Sequence, residues 1–308
     1  MKSVRSKVLL LLFAPLSISQ SSAFVLTFRK NCSYYIGPKS TSTAILAEPA
    51  NNSSSGGSIS SSSIMTVNRK QLLVSLCDNL SCDNDDNKPK LILASQSPRR
   101  REILTMMGLT ENKHYTVEYS PLDESILQKE LVESKLPSID YTRRLAEAKA
   151  YALADLHANG DNNKNNEAGA ATFYLGSDTI VELDECILEK PKDTNDAKRM
   201  LNLLSGRQHH VHTGVALYRL NGNANNNQNQ ISLIESFTDT ACVTFADLTD
   251  EDIDSYIKSG EPMDKSGSYG AQGIGGQFVK TISGDFFTVM GLPMHKTSQL
   301  VASALQAE

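Results

Sequence analysis

Several features that define other protein classes are missing from this 308-residue chain. It contains no tryptophan, and its five cysteines form no C-x-x-C pair, so neither a zinc site nor a disulfide framework is indicated and we expect unpaired thiols. The phosphate-binding pattern G-x-x-x-x-G-K-[ST] does not occur, which excludes a P-loop nucleotidase. The apolar run Val8–Ile18 is shorter than the roughly 20 residues that span a bilayer. We therefore expect no stable membrane insertion.

Acidic residues are almost absent from the first part of the chain. The first 70 residues carry eight of the 30 Lys and Arg but only one of the 35 acids, Glu48. The remainder therefore holds 22 basic and 34 acidic residues, a net charge of −12. Nucleic-acid-binding proteins normally carry a basic surface, so this acidity argues against a nucleic-acid partner. An anionic ligand would have to be bound by a local basic cluster or a metal ion.

The N-terminal composition is typical of targeting segments. Residues 1–23 are predicted to be a signal peptide, with a basic start, the apolar run Val8–Ile18 and small residues before Phe24. Residues 24–87 are rich in Ser, Thr and Asn, and we interpret them as a transit-like, low-complexity presequence and linker before a folded domain at 88–308. The serial arrangement resembles the bipartite plastid presequences of algae with complex plastids. A secreted or a cytoplasmic protein is the alternative.

Predicted strands and helices alternate along the rest of the chain. Leu91–Ala94 is predicted to be a buried strand, followed by a helix with Ser97 as its N-cap. Thr172–Leu183 is also predicted to be a strand. Two consecutive predicted strands, Val211–Leu220 and Ser232–Phe245, then interrupt the alternation as a hairpin. We therefore predict an α/β domain with a mixed sheet flanked by helices.

The segment Leu91–Glu102, LILASQSPRRRE, has the features of an anion-binding helix start. A helix N-terminus carries partial positive charge, so Arg99 and Arg100 are unfavourable in the first turn unless an anion lies there. Ser95 and Ser97 add hydroxyl donors, and the free N–H groups of the first turn point outward. The segment therefore predicts a phosphate site. A solvated basic turn after a Ser-Pro cap is the alternative.

Two charged residues fall within apolar segments. Alternation along the predicted strand places Asp178 and Thr179 on opposite faces. A carboxylate near the end of a buried strand often binds a metal or moves a proton, although a strand-ending turn also explains it. Lys149 lies on the helical wheel between Leu153 and Leu156, inside an apolar stripe. A lysine there either extends to solvent or meets an anion.

Two further charged residues are predicted to lie in loops. Glu124 follows the Ser-Pro break at residues 120–121, and Lys190 lies in the charged segment Glu189–Asp193. Each of them fits a solvated loop as well as it fits a binding site, so their sequence context alone does not decide between the two.

Taken in order and spacing, these segments resemble the Maf family of nucleoside triphosphate pyrophosphatases. The resemblance runs from about Leu91 to Leu300. Ser266 and Ser268 depart from it, because the family usually has alanine at both positions. The matching motifs are LILASQSPRRREIL, RLAEAKA, LGSDTIV, KPKDTNDAKRMLNLLSGRQH, HTGVAL, GEPMDKSGSYGAQG and GDFFTVMGLP.

The resemblance implies a mixed, strongly twisted sheet similar to that of the inosine triphosphatases, a homodimer, and a divalent metal cofactor such as Mg²⁺ or Mn²⁺. Family members cleave nucleoside triphosphates between the α and β phosphates, giving the monophosphate and pyrophosphate. One branch prefers dTTP and UTP and has arginine, threonine and glutamine where this chain has Arg99, Thr179 and Gln272. The alternatives are the branch that hydrolyses N7-methyl-GTP and a non-catalytic nucleotide-binding regulator of cell division.

The same resemblance, together with the charge pattern, leads to a set of expected site residues. We expect Asp178 to be catalytic and to bind the metal together with Glu124. The expected substrate-binding residues are Ser95, Ser97, Arg99, Arg100, Lys149, Thr179, Lys190 and Gln272.

Overall fold

A computed structural model of the protein describes residues 76–82, 88–159, 170–221 and 230–307. The expected signal peptide and most of the expected presequence lie outside these residues. Among the described residues, no helix combines the length and the apolarity needed to cross a membrane. The elements are β1 (Lys90–Ala94), α1 (Pro98–Met106), β2 (Tyr115–Glu118), α2 (Glu124–Glu133), α3 (Ser138–Asn159), β3 (Thr172–Leu183), β4 (Cys186–Leu188), α4 (Thr194–Leu204), β5 (Gln208–Asn221), β6 (Gln230–Phe245), α5 (Asp250–Lys258), the 3-10 segments Glu261–Asp264, Ser266–Ser268 and Ile274–Phe278, β7 (Val279–Ser283), α6 (Phe286–Met290) and α7 (Met294–Gln306).

The strands form one mixed sheet with the order β2-β1-β3-β5-β6-β7, and β4 pairs with the far end of β3. β1 is parallel to both β2 and β3, whereas β3, β5, β6 and β7 pair antiparallel in succession. β5 and β6 are the predicted hairpin. The prediction of an α/β domain with a mixed sheet flanked by helices is confirmed.

β3 is buried on both faces and runs between separate parts of the core. On one face Phe173 packs with α1 and α7, and further along Val181 packs with α4 and α5. On the other face Tyr174 packs against α3. The predicted alternation is confirmed. It directs Asp178 towards α3 and Thr179 towards the helices on the opposite side.

Ser97 occupies the predicted N-cap position of α1, although its side chain makes no capping hydrogen bond. Other local predictions are wrong. Leu156 was expected on the buried stripe of α3 and is 51% exposed, because the buried face is rotated towards Lys149 and Leu153. The short helices α2 and α6 have no counterpart in the sequence-based prediction.

The packed region includes residues that precede the boundary expected at 88. Leu76 and Leu80 are almost fully buried and belong to the same cluster as α1 and α7. These two leucines therefore contribute apolar burial to the same core that supports the start of α1.

Two cysteines lie where the structure describes their side chains in detail. The expectation of unpaired thiols is confirmed for Cys77 and Cys242, both of which carry free thiols.

Candidate active site

The site lies at one edge of β3, at the point where its partner strand changes from β1 to β4. β1 pairs with β3 as far as Gly176, and β4 pairs with it from Val181 onwards. Residues 177–180 of β3 therefore lie beside the segment that follows β1 and begins α1. A cavity of about 670 Å³ opens there. It lies beyond the carboxyl end of a parallel strand, which is where open α/β sheets commonly bind ligands.

The start of α1 forms one wall of this cavity. Ser95 Oγ accepts hydrogen bonds from the N–H of Ser97 at 3.2 Å and from Arg100 Nη1 at 2.8 Å. Its own proton remains available to a ligand. Because the Ser97 hydroxyl does not cap the helix, it too is available, together with the first-turn N–H groups. This arrangement suits an anion.

Arg100 is held rigidly at the base of that wall. Only 8% of the residue is exposed, and its Nε donates to the carbonyl oxygen of Gly291 at 2.9 Å. Burial lowers the pKa of Arg100 to about 10, against the opposing effect of the Asp178 carboxylate. The guanidinium is therefore still charged at neutral pH, and its desolvation favours the arrival of an anion.

Lys149 of α3 brings the two expected metal ligands together. Its Nζ lies 2.6 Å from Asp178 Oδ1 and 2.8 Å from Glu124 Oε2. Burial by itself would lower the pKa of Lys149, but the carboxylates of Asp178 and Glu124 outweigh it, and the pKa is raised. The site thus holds a charged ammonium group beside two carboxylates. Asp178 is buried, whereas the Glu124 side chain is 43% exposed.

Close approach of α3 to the sheet makes this contact possible. A Cβ atom at Gly176 would lie 2.3 Å from the carbonyl oxygen of Ala146, and one at Gly214 would lie 2.4 Å from that of Thr142. The two glycines sit on β3 and β5 under the helix. Their lack of side chains lets the helix approach until Lys149 reaches Asp178.

Glu189 is a site residue that its local sequence did not reveal. Its Oε1 accepts a hydrogen bond from the Tyr141 hydroxyl at 2.7 Å, and the residue lines the cavity. Burial, followed by the nearby Asp178 carboxylate, raises the pKa of Glu189 to about 7, although Tyr141 and Lys149 act in the opposite direction. Glu189, the third carboxyl group of the site beside Asp178 and Glu124, is therefore partly protonated near neutral pH.

The glycine-rich segment on the opposite wall is held by Glu261. Its carboxylate accepts the N–H groups of Ile274 at 2.9 Å and Gly275 at 3.2 Å, and the Tyr256 hydroxyl at 2.9 Å. These bonds fix the loop that carries Gln272, whose exposed side chain lines the cavity. An amide there can both donate and accept hydrogen bonds.

An ion pair joins the two walls. Arg99 Nη1 lies 3.0 Å from Asp264 Oδ2, and Lys265 Nζ lies 2.6 Å from Asp264 Oδ1. The Asp264 side chain is 58% exposed, so this contact contributes little to stability. It orients the Arg99 guanidinium towards Asp264. Asp264 is a second site residue that the sequence did not suggest.

All the residues expected at the site line this one cavity. Their chemical roles remain predictions, since geometry shows only that they meet. Arg101, by contrast, points away and lies 3.9 Å from Glu111. The residues brought together are Ser95, Ser97, Arg99, Arg100, Glu124, Lys149, Asp178, Thr179, Lys190 and Gln272.

The donor set of the cavity fits a hard divalent cation such as Mg²⁺ or Mn²⁺. Within the described part of the chain, no cluster of three His, Cys, Asp or Glu residues is placed to hold a metal. Mg²⁺, however, is usually bound by one or two carboxylates together with substrate phosphates and water. Glu124 and Asp178 supply two such carboxylates beside the anion-binding wall. The set therefore fits an ion that binds together with a phosphate substrate.

Comparison with known proteins agrees with this geometry. The sequence model of the family described as "Maf-like protein" matches residues 90–304. A "dTTP/UTP pyrophosphatase" from Shewanella oneidensis is 44% identical over 215 residues, covering 70% of this chain and 97% of the relative. Proteins of the same name from Vibrio cholerae and Bacillus pumilus are 41% and 40% identical, each over 212 residues, covering 69% of this chain and 96% and 95% of the relatives. The chain therefore belongs to the Maf-like protein family.

Proposed function

We propose that this protein hydrolyses dTTP and UTP to the nucleoside monophosphate and pyrophosphate. One observation carries the proposal. Buried cations and a buried carboxylate converge on one cavity, in a chain whose relatives are named for that activity. The cations suit a triphosphate, and the carboxylate suits general-base chemistry.

The triphosphate is bound by the α1 wall and by lysines on the facing elements. Arg100 and Lys149 are desolvated, so they hold phosphate oxygens more strongly than exposed cations would. Arg99 and Lys190 add charge at more exposed positions. The hydroxyl groups of Ser95 and Ser97 and the N–H groups of the first turn of α1 complete the site. Together these groups hold the chain of phosphates in one orientation.

Asp178 acts as the general base. One oxygen of its carboxylate takes a proton from a water molecule as the oxygen of that water attacks the α-phosphorus. The bond from the α-phosphorus to the bridging oxygen breaks, and pyrophosphate leaves with the electron pair. Lys149 and Arg100 stabilise the negative charge that develops on the leaving group. Lys149 also keeps Asp178 in a fixed position through the contact at 2.6 Å.

Glu124 and Asp178 would hold the divalent ion. A bound Mg²⁺ or Mn²⁺ supplies charge neutralisation of the phosphates and polarisation of the reacting oxygen.

Gln272, Thr179 and Arg99 would read the base. All three line the cavity, and Gln272 belongs to its glycine-rich segment. The branch assignment is tested by the double variant Gln272→Glu, Arg99→Trp. Its ratio of kcat/KM for N7-methyl-GTP over UTP is expected to rise. An unchanged ratio would count against these residues as the readers of the base.

A substrate panel with pyrophosphate detection tests the function itself. The wild-type protein with Mg²⁺ or Mn²⁺ is expected to release pyrophosphate from dTTP and UTP faster than from purine triphosphates or N7-methyl-GTP. Binding of dTTP and UTP without any turnover would support a nucleotide-binding regulator instead. Preference for N7-methyl-GTP would place the chain in the other branch.

We further propose a homodimer and import into a plastid. The second of these rests on residues 1–87, which lie outside the described residues apart from 76–82. A fluorescent fusion of residues 1–70 is expected to accumulate in the plastid. Secretion of the fusion, or its fluorescence in the cytoplasm, would contradict import into a plastid. Sedimentation of the full chain, with an expected mass of twice 33.6 kDa, tests the dimer.

A further inference from the structure

A short chain of hydroxyl groups lies behind Thr179, on the side away from the cavity. Thr179 Oγ1 is 2.9 Å from Oγ1 of Thr213, the residue opposite it on β5. Thr213 Oγ1 is in turn 2.7 Å from the main-chain oxygen of Thr288. Thr213 and Thr288 are fully buried, whereas Thr179 is half-buried and lines the cavity. The chain therefore connects the protein interior to the ligand site.

The direction of the hydrogen bonds in this chain is fixed. A hydroxyl group has one proton to donate, and a carbonyl oxygen can only accept. Thr213 must therefore donate to the oxygen of Thr288 and accept from Thr179. The single proton of the Thr179 hydroxyl is committed to Thr213. Arg100 Nη2 donates to Thr179 Oγ1 at 3.3 Å and occupies one of its lone pairs.

One lone pair of Thr179 Oγ1 remains for a ligand, so this hydroxyl can only accept a hydrogen bond from it. A phosphate oxygen is itself an acceptor and is not a suitable partner. A ligand group that carries an N–H or O–H can donate to this lone pair and is a suitable partner. Uracil and thymine both carry a donor at N3, whereas cytosine has an acceptor at that position.

We propose that Thr213 determines specificity for the base by making Thr179 an obligate acceptor that selects the N3–H of uracil and thymine over the N3 of cytosine. This inference rests on the proposed hydrolysis of dTTP and UTP. Thr213 itself does not touch the substrate and is a positioning residue. Cytosine in the same position would place two lone pairs against each other, and a site built for a donor rejects a ligand that lacks it.

The test compares kcat/KM for UTP and CTP in the wild type and in Thr213→Val. Valine has a similar shape but cannot accept from Thr179, which frees that proton to be donated to cytosine. We expect the UTP-to-CTP ratio to fall at least about tenfold, with Thr213→Ser restoring it because the hydroxyl returns. An equal loss for both substrates would overturn the inference, as it would point to a ribose contact or to general disturbance.

Ser177→Ala is the matched control. Ser177 is also fully buried, and its Oγ donates to the main-chain oxygen of Gly291 at 3.1 Å. Gly291 is the C-cap of α6, the helix that contains Thr288. The hydrogen bonds of the described residues do not join Ser177 to Thr179. We expect the UTP-to-CTP ratio of Ser177→Ala to match the wild type. A fall as large as that of Thr213→Val would overturn the inference, because the loss of any hydrogen bond to α6 would then change the ratio.

N3-methyl-UTP gives a test that does not depend on the folding of a variant. The methyl group removes the N3 donor, so the wild type is expected to hydrolyse it at least about tenfold less efficiently than UTP. Equal efficiency would overturn the inference. Failure of the wild type to hydrolyse UTP or dTTP at all would instead refute the proposed function, which keeps the two outcomes distinct.

Discussion

Replacing Lys149 by Met should strongly destabilise the fold, and Asp178→Asn should relieve most of that effect. Lys149 Nζ lies 2.6 Å from Asp178, whose side chain is only 11% exposed. At an effective dielectric constant of about 20, the Coulomb energy of such a pair is about 6 kcal/mol before desolvation is subtracted. Removing one partner of a buried pair typically costs 3–5 kcal/mol, and the nearby Arg100 compensates part of the stranded charge. We expect a loss of about 3 kcal/mol for Lys149→Met.

The assay is a double-mutant cycle from urea denaturation in the presence of EDTA. With about 1 kcal/mol lost in Asp178→Asn and about the same in the double variant, the coupling energy should be about 3 kcal/mol. Glu124 provides a matched control cycle, because it contacts the same lysine at 2.8 Å but is 43% exposed. Its coupling should stay below about 1 kcal/mol. A Lys149–Asp178 coupling below about 0.5 kcal/mol would refute the view that burial makes this ion pair strongly coupled.

Two other variants test how packing and ionisation support the site. Gly176→Ala should cost about 1–3 kcal/mol and lower kcat, because its Cβ would lie 2.3 Å from the Ala146 oxygen and displace α3; native-like urea stability and turnover would contradict this. Glu189→Gln should make the free energy of unfolding less dependent on pH. The pKa of Glu189 is raised by burial from 4.5 to about 7, so its contribution to stability is fully present below pH 4.5 and is lost as pH rises through 7. Without metal, the variant should therefore lose less stability than the wild type between pH 5 and 8, by up to about 3 kcal/mol. An equal loss of stability between pH 5 and 8 in the two proteins would contradict a raised pKa of Glu189.

The sheet was predictable because its strands have a strong local signal. Alternation along β3 has a period of two residues, and it correctly separated Asp178 from Thr179. The helix α2 was missed because only Leu131 is buried in it. A helix with almost no apolar stripe gives no periodic signal and resembles a solvated loop. Its first residue is Glu124, which was therefore expected in a loop.

The site was predictable where a residue type conflicts with its local setting, as a lysine on a buried helix face does. It was not predictable where burial is created by distant residues. Glu189 looks like a solvated loop acid until Tyr141, 48 residues away, covers it. Thr213 looks like an ordinary strand residue, and only its pairing with β3 places its hydroxyl behind Thr179. Such roles depend on contacts far apart in the chain.

Pyrophosphate release by Asp178→Asn tests the proposed chemistry most directly. The substitution removes a base and a charge but nearly keeps the shape, and dTTP or UTP binding can be followed separately by calorimetry. We predict that turnover with Mg²⁺ falls by about a thousandfold or more, while nucleotide binding is largely kept because Arg99, Arg100 and Lys190 are intact. Release of pyrophosphate at a near-native rate would contradict the assignment of Asp178 as the base.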